Sequence, residues 1–286
     1  MSDLSAQRRF YAEEVQALAS LQSVALVDAL ATVPRERFLP PGPWTIRSEA
    51  DFGAAPRQTP DADPRHVYHN VAIAIDPART LFNGVPSLIA MAIEVLGLAA
   101  GARALHIGTG TGYYTALMGA CVGESGRVVG LEADSGLAAR AKTNLASMPW
   151  IDVRHADGMA PFGETFDAIL VNAGTTHPPG AWLDALDAGG RMIIPLTASM
   201  GPMGNIGKGL LVLLTRTDDP SALTARVVTF VAIFNAVGAR DQALNVELGQ
   251  ALQKMPFPPL KRLRRDAHEH GIGCWLHGPE FCLTTA

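Results

Sequence analysis

Cysteine is nearly absent: Cys121, Cys274 and Cys282 are the only three among 286 residues. So sparse and odd a set excludes a disulfide-stapled miniprotein and suits a reducing compartment. Charge is also scarce, at 17% against a typical share of about 25%, which argues against extensive disorder. Much surface is therefore buried or shared, and a homodimer is compatible with this. The 23 basic and 27 acidic side chains give a net charge of −4, so there is no general attraction for nucleic acid or anionic lipid. No uncharged apolar run reaches the roughly 18 residues of a membrane helix, because Glu94 interrupts the best candidate around Leu88 to Leu98. The opening MSDLSAQRRFYAEEV has neither the apolar core nor the small-residue cleavage site of a secretory signal. The expectation is a cytoplasmic protein with no membrane or nucleic-acid partner.

What is present is ample apolar material, 48% of the chain, enough for one large domain or two small ones. Residues 4 to 31 carry apolar positions at helical spacing, consistent with one broken or two short helices. The prolines of VPRERFLPPGPW stop regular structure, and residues 40 to about 70 read as an ordered but irregular connection. Helical spacing returns over Pro86 to Leu98, with Pro86 in a first turn and Gly97 or Gly101 near the end. From Ala102 short apolar strands alternate with helices: ARALHIG, TGYYTALMGACVG, GRVVGLEAD, SGLAARAKTNLASM, IDVRHAD, FDAILVNAG, a helical AWLDALDAG and GRMIIPL. This predicts a doubly wound α/β fold, its sheet mostly parallel. LLVLLTR and TARVVTFVAIF, separated by DDPSA, predict an antiparallel edge hairpin. A helical LNVELGQALQKM then leads through FPP and a basic LKRLRRD to the tail. The expected division is a helical cap and connection over 1–79, a core over 80–239 and an extension over 240–286.

The most informative stretch is Leu105-His106-Ile107-Gly108-Thr109-Gly110-Thr111-Gly112-Tyr113, set between a strand and a helix. Glycines there permit a tight turn and let a ligand approach amides at a helix N-terminus. Glu132 ends the next strand, where a carboxylate can accept from two ribose hydroxyls, which implies adenosine. Tyr113 occupies the place of a third fingerprint glycine, disfavouring NAD, and no GxxxxGK[ST] loop is present. Asp157 in HADGM can accept from an adenine amino group or cap a turn. Asn172 ends a fourth strand. An ordinary strand-to-helix turn is the bland alternative, but three strand-end polar groups around one glycine loop outweigh it.

With these residues the chain resembles a class I S-adenosylmethionine-dependent methyltransferase, in particular the protein L-isoaspartate O-methyltransferase family. VPRERFLP resembles its N-terminal signature and ALHIGTGTGYYTALM its cofactor loop; VVGLEAD, HADGM, FDAILVNAG and AGGRMIIPL follow in the family's order. The resemblance implies S-adenosylmethionine as cofactor. It places Gly108, Thr109 and Gly110 under the methionine moiety, with Gly112 and Tyr113 continuing the loop. Glu132, beside Ala133, falls on the ribose, Asp157 and Gly158 near adenine, and Asn172 at the same strand ends. His106 stands where the family usually carries an acidic residue associated with the methionine amino group. The family's TxSQP substrate segment is replaced by Thr80-Leu81-Phe82-Asn83-Gly84-Val85-Pro86-Ser87. Thr80 matches directly, while Asn83 and Ser87 offer replacement donors or serve helix entry.

The chemistry implied is methyl transfer to a protein or peptide carboxylate, most simply L-isoaspartate. A carboxylate is already ionised near neutral pH, so positioning without a dedicated base suffices. An alcohol or amine acceptor would call for a base, and His69, His106 and His177 are the candidates; His177 reads as a solvated rim residue. The alternatives are a related methyltransferase for a dedicated peptide or small molecule, and a non-catalytic cofactor-binding protein. The tail holds His268, His270, Cys274, His277 and Cys282. Their spacing matches no strong zinc template, so the expectation is no metal and a packed hairpin turning at His277-Gly278-Pro279, anchored by Trp275, Leu276, Phe281 and Leu283.

Overall fold

Local signals in the sequence set most element boundaries in the computed structural model, which describes residues 4–48, 55–199, 205–219, 221–254, 259–271 and 273–286. The amphipathic N-terminus forms α1 (Ser5–Ala19) and α2 (Val24–Thr32), the second capped by Ser23, whose hydroxyl accepts from the Leu26 amide. A 3-10 turn at Arg35–Phe38 follows, then β1 (Thr45–Arg47), β2 (Arg57–Gln58), β3 (Ala72–Asp76) and β4 (Leu81–Phe82). Helix α3 (Pro86–Leu96) starts on proline and stops at Gly97, which adopts φ 66°. The alternating region supplies β5 (Arg103–Ile107), α4 (Tyr113–Val122), β6 (Arg127–Glu132), α5 (Ser135–Asn144), β7 (Ile151–His155), β8 (Phe166–Val171), α6 (Gly180–Asp184) and β9 (Leu186–Ser199). The remainder is β10 (Ile206–Arg216), β11 (Ala222–Phe234), α7 (Gln242–Gln253), β12 (Arg262–Arg264), β13 (Cys274–Gly278) and β14 (Phe281–Thr284).

Two compact units result: residues 1–102 with 109–155, and residues 103–108 with 156–286. In the first, the stretch expected to be irregular contributes to a small antiparallel sheet ordered β2-β1-β3-β4. Strands of two to five residues are too short to show an alternation, which is why the sequence hides them. The same unit carries the parallel pair β6–β7, and α4 and α5 pack against these strands. Its centre is an aromatic cluster around one buried cation. The Arg35 guanidinium donates to the carbonyls of Val67 (2.8 Å), His69 (3.0 Å) and Val71 (2.8 Å). It also sits 5.6 Å and 5.7 Å from the ring centroids of Tyr11 and Tyr113.

In the second unit the strands run β13-β14-β12-β11-β10-β9-β8-β5. β5, β8 and β9 are parallel, whereas β9 through β14 pair antiparallel. The β10–β11 hairpin expected at an edge is present, but β12 to β14 continue the sheet beyond it. The helix expected over AWLDALDAG is confined to five residues. Leu186 instead pairs with Phe166 and begins β9, because its backbone continues the parallel ladder before Gly189. Pro220 of the expected turn, and Phe257 and Pro258 of FPP, lie outside the described residues. Among the described residues, no helix is long and apolar enough to cross a membrane.

Candidate cofactor and acceptor site

In the first unit the loop from Thr109 enters α4 through a backbone that only glycine adopts comfortably. Gly110 has φ 58° and Gly112 has φ 99°; a Cβ on Gly112 would also stand 2.9 Å from Leu145 Cδ1. The loop is pinned from three sides. The Thr109 amide donates to Leu131 O (3.0 Å), the Asn144 side chain donates to Thr111 O (2.9 Å), and the Gly110 amide donates to Glu132 Oε2 (2.7 Å). The other oxygen of Glu132 accepts from the Asp134 amide at 3.0 Å. Both carboxylate oxygens therefore hold one backbone donor each and keep lone pairs for more. Burial raises the Glu132 carboxyl pKa, and these amide hydrogen bonds oppose the rise. The Ala133 carbonyl accepts from His155 Nε2 at 3.1 Å when that nitrogen carries the proton. Tyr113 points away from the loop: its ring is buried against Phe38 and Tyr114, and its hydroxyl meets that of Tyr11 at 3.3 Å. Only its backbone, at the helix start, is placed to serve a ligand.

The segment expected to meet the methyl acceptor, residues 80–87, lies in the same unit. Thr80 is exposed in the β3–β4 turn with φ 55°. Asn83 is buried, and its Oδ1 accepts from the Ile73 amide at 2.9 Å, which fixes the amide orientation and leaves Nδ2 as a buried donor without a partner. Neither Asn83 nor Ser87 caps α3 with its side chain; Val85 is the N-cap residue and the Ser87 amide donates to Asn70 Oδ1 at 2.8 Å. An orphaned buried NH2 costs about 1–3 kcal/mol, so Asn83 marks a place where an acceptor on a ligand would be gained.

The second unit holds the remaining candidates. Gly108 follows β5 with φ 82°, and a Cβ there would lie 3.1 Å from the Asn172 carbonyl oxygen. Asn172 is tied in turn by its amide to Ile107 O (2.8 Å). Asp157 Oδ1 accepts from the Met159 amide at 3.0 Å, so it forms the turn cap, with its carboxylate exposed. Gly158 is buried and its carbonyl accepts from Trp182 Nε1 at 2.7 Å. His177 is half-buried rather than solvated: its ring stacks on Phe281 at 6.3 Å and its Nδ1 lies 3.0 Å from Thr176 Oγ1. Burial lowers its pKa. Arg240, which no local pattern singles out, donates to Gly174 O, Thr197 O and Asn245 Oδ1 and so fixes the segment after Asn172.

His106 is fully buried on β5, and burial drives its pKa from 6.5 down to about 3. It is a neutral imidazole at any physiological pH and carries no charge for the methionine end of a cofactor. The unfolded chain takes up a proton below pH 6.5 while the folded chain does not, so this contribution is complete above 6.5 and is lost as pH falls toward 3. Relative to His106→Gln, the native protein is expected to lose about 2 kcal/mol more between pH 7 and pH 5. Urea unfolding at the two pH values measures this; parallel losses in both proteins would contradict it.

A glycine-lined loop at a helix start, with a strand-end carboxylate latched to it, is an arrangement suited to a nucleotide-type cofactor on an α/β sheet. The solved structures it resembles agree on the fold. One is a protein-L-isoaspartate O-methyltransferase (24% identity, TM-score 0.63, covering 86% of this chain and 69% of the other). Another, from Plasmodium falciparum, is described as a candidate enzyme of that kind in complex with S-adenosyl-L-homocysteine (17% identity, TM-score 0.59, covering 80% and 98%). The family model for protein-L-isoaspartate(D-aspartate) O-methyltransferase (PCMT) matches residues 52–232, and the chain belongs to that family. The Methylorubrum populi protein-L-isoaspartate O-methyltransferase is 33% identical over 233 residues, covering 79% of this chain and 94% of that protein. The Yersinia enterocolitica protein of the same name is 30% identical over 217 residues, covering 74% and 89%.

Proposed function

We propose that the chain is an S-adenosylmethionine-dependent O-methyltransferase acting on the carboxylate of L-isoaspartyl residues in proteins or peptides. The observation that carries this reading is the Glu132–Gly110 latch, which preorganises the glycine loop and leaves acceptor capacity for a sugar. Glu132 takes the ribose hydroxyls, and the Thr109 and Gly110 backbone takes the methionine moiety. S-adenosylmethionine supplies a methyl group on a sulfonium, already activated toward attack. The protein's work is to orient the acceptor and exclude water. Asn83 donates from Nδ2 to the acceptor carboxylate, with Thr80 and Ser87 as further hydroxyls of the segment. No side chain need remove a proton, which agrees with a neutral His106 and a His177 engaged by Thr176 and Phe281. The unpaired cysteines support a reducing compartment such as the cytoplasm.

Asn83→Asp tests the acceptor assignment with little change of shape. The new carboxylate keeps an oxygen for the Ile73 amide and exchanges the donor for a negative charge. KM for an isoaspartyl peptide is expected to rise at least about tenfold, with affinity for S-adenosylhomocysteine unchanged. Binding of the peptide and its aspartyl isomer to the homocysteine complex is the companion measurement: only the isoaspartyl form should bind. Equal binding of both isomers would favour a methyltransferase for a dedicated acceptor.

A further inference from the structure

The tail brings together what its spacing hides. Among the described residues, His268, Cys274, His277 and Cys282 each place a ligand atom within 4.8 Å of the other three. Cys274 and His277 are three apart, which in a regular strand puts them on opposite faces. The β13–β14 register shifts between Cys274 and Leu276, and that extra residue returns Cys274 to the face of His277. His277 lies directly opposite Cys282 across the hairpin, so these two share a face as well.

From these positions we infer that His268, Cys274, His277 and Cys282 form a tetrahedral zinc site that staples the C-terminal hairpin. Two thiolates and two imidazoles are a donor set zinc favours, and its bonds of about 2.0–2.3 Å put ligand atoms about 3.3–3.8 Å apart. Cys274 Sγ and His268 Nε2 already stand at 3.8 Å. The rings are set for the task. His268 Nδ1 lies 2.9 Å from the Asp266 carbonyl oxygen, which can only accept, so Nδ1 carries the proton and Nε2 presents its lone pair toward Cys274. His277 Nδ1 is buried with no hydrogen-bond partner, a cost that coordination through it removes. The Gly271 amide lies 3.5 Å from Cys274 Sγ, placed to donate to a thiolate.

Four protein ligands close the coordination shell, so the metal is structural and leaves no position for substrate. Its role is to hold β13 and β14, which form the edge of the second unit's sheet and carry Phe281 against His177. His270, whose ring centroid is 5.8 Å from that of His277, stays outside the set.

The full-length chain, purified reduced and without chelator, is expected to contain one zinc by inductively coupled plasma mass spectrometry. Replacement by cobalt should give the visible bands of a tetrahedral S2N2 site and thiolate-to-cobalt charge transfer. Cys274→Ser and His268→Gln should each lose the metal or bind it at least tenfold more weakly, whereas His270→Ala should retain it. Reduced wild-type protein that takes up no cobalt would overturn the proposal, independently of how any variant folds. Full metal retention in both Cys274→Ser and His268→Gln would overturn the ligand assignment.

Discussion

Glu132→Ala is expected to weaken S-adenosylhomocysteine binding by about a hundredfold or more. The loss has two sources. The ribose hydroxyls lose a charged acceptor, at about 1.5 kcal/mol or more per bond, and the Gly110 amide loses the carboxylate that holds it at 2.7 Å. Glutamine does not rescue the site. Each oxygen of Glu132 faces a backbone N–H, so whichever becomes NH2 meets a donor. Because burial raises the Glu132 pKa, wild-type affinity should also fall on acidification before an ordinary glutamate would protonate. Calorimetric titration at neutral and mildly acidic pH reads both effects. Unchanged affinity in Glu132→Ala would remove the residue from the cofactor site.

The second large effect falls on stability. Arg35 is fully buried and donates to three backbone carbonyls, of which that of Val67 is buried and those of His69 and Val71 are partly buried. Arg35→Ala leaves those acceptors unpaired and opens a hole between Tyr11 and Tyr113, at an expected cost of about 4 kcal/mol or more. Lysine should recover only part of this, since one ammonium lacks the planar fork that reaches Val67, His69 and Val71 together. Urea unfolding followed by tyrosine fluorescence measures the series. A loss below about 1 kcal/mol for alanine would mean the carbonyls find other partners.

Much of this architecture is legible where one local rule decides. Pro86 and Gly97 bracket α3 because one fits a first helical turn and the other adopts φ 66°. Gly110 and Glu132 stand out for a related reason: a glycine loop after one buried strand and a carboxylate ending the next is a chemical pattern as well as a structural one. Legibility fails where partners distant in sequence decide. Leu186 reads as helix because its apolar neighbours have helical spacing, yet pairing with Phe166 makes it a strand. Arg35 sits in VPRERFLP with nothing nearby to announce that three carbonyls more than thirty residues on will surround it. The histidines and cysteines of the tail match no spacing template because a bulge, invisible in sequence, changes the parity of β13.

Methyl transfer itself is the most direct test. Purified protein, labelled S-adenosylmethionine and a pair of peptides differing only in an isoaspartyl or aspartyl linkage are sufficient. A base-labile methyl ester is expected on the isoaspartyl peptide and none on its isomer. Labelling of neither peptide by protein that binds S-adenosylhomocysteine would contradict this expectation.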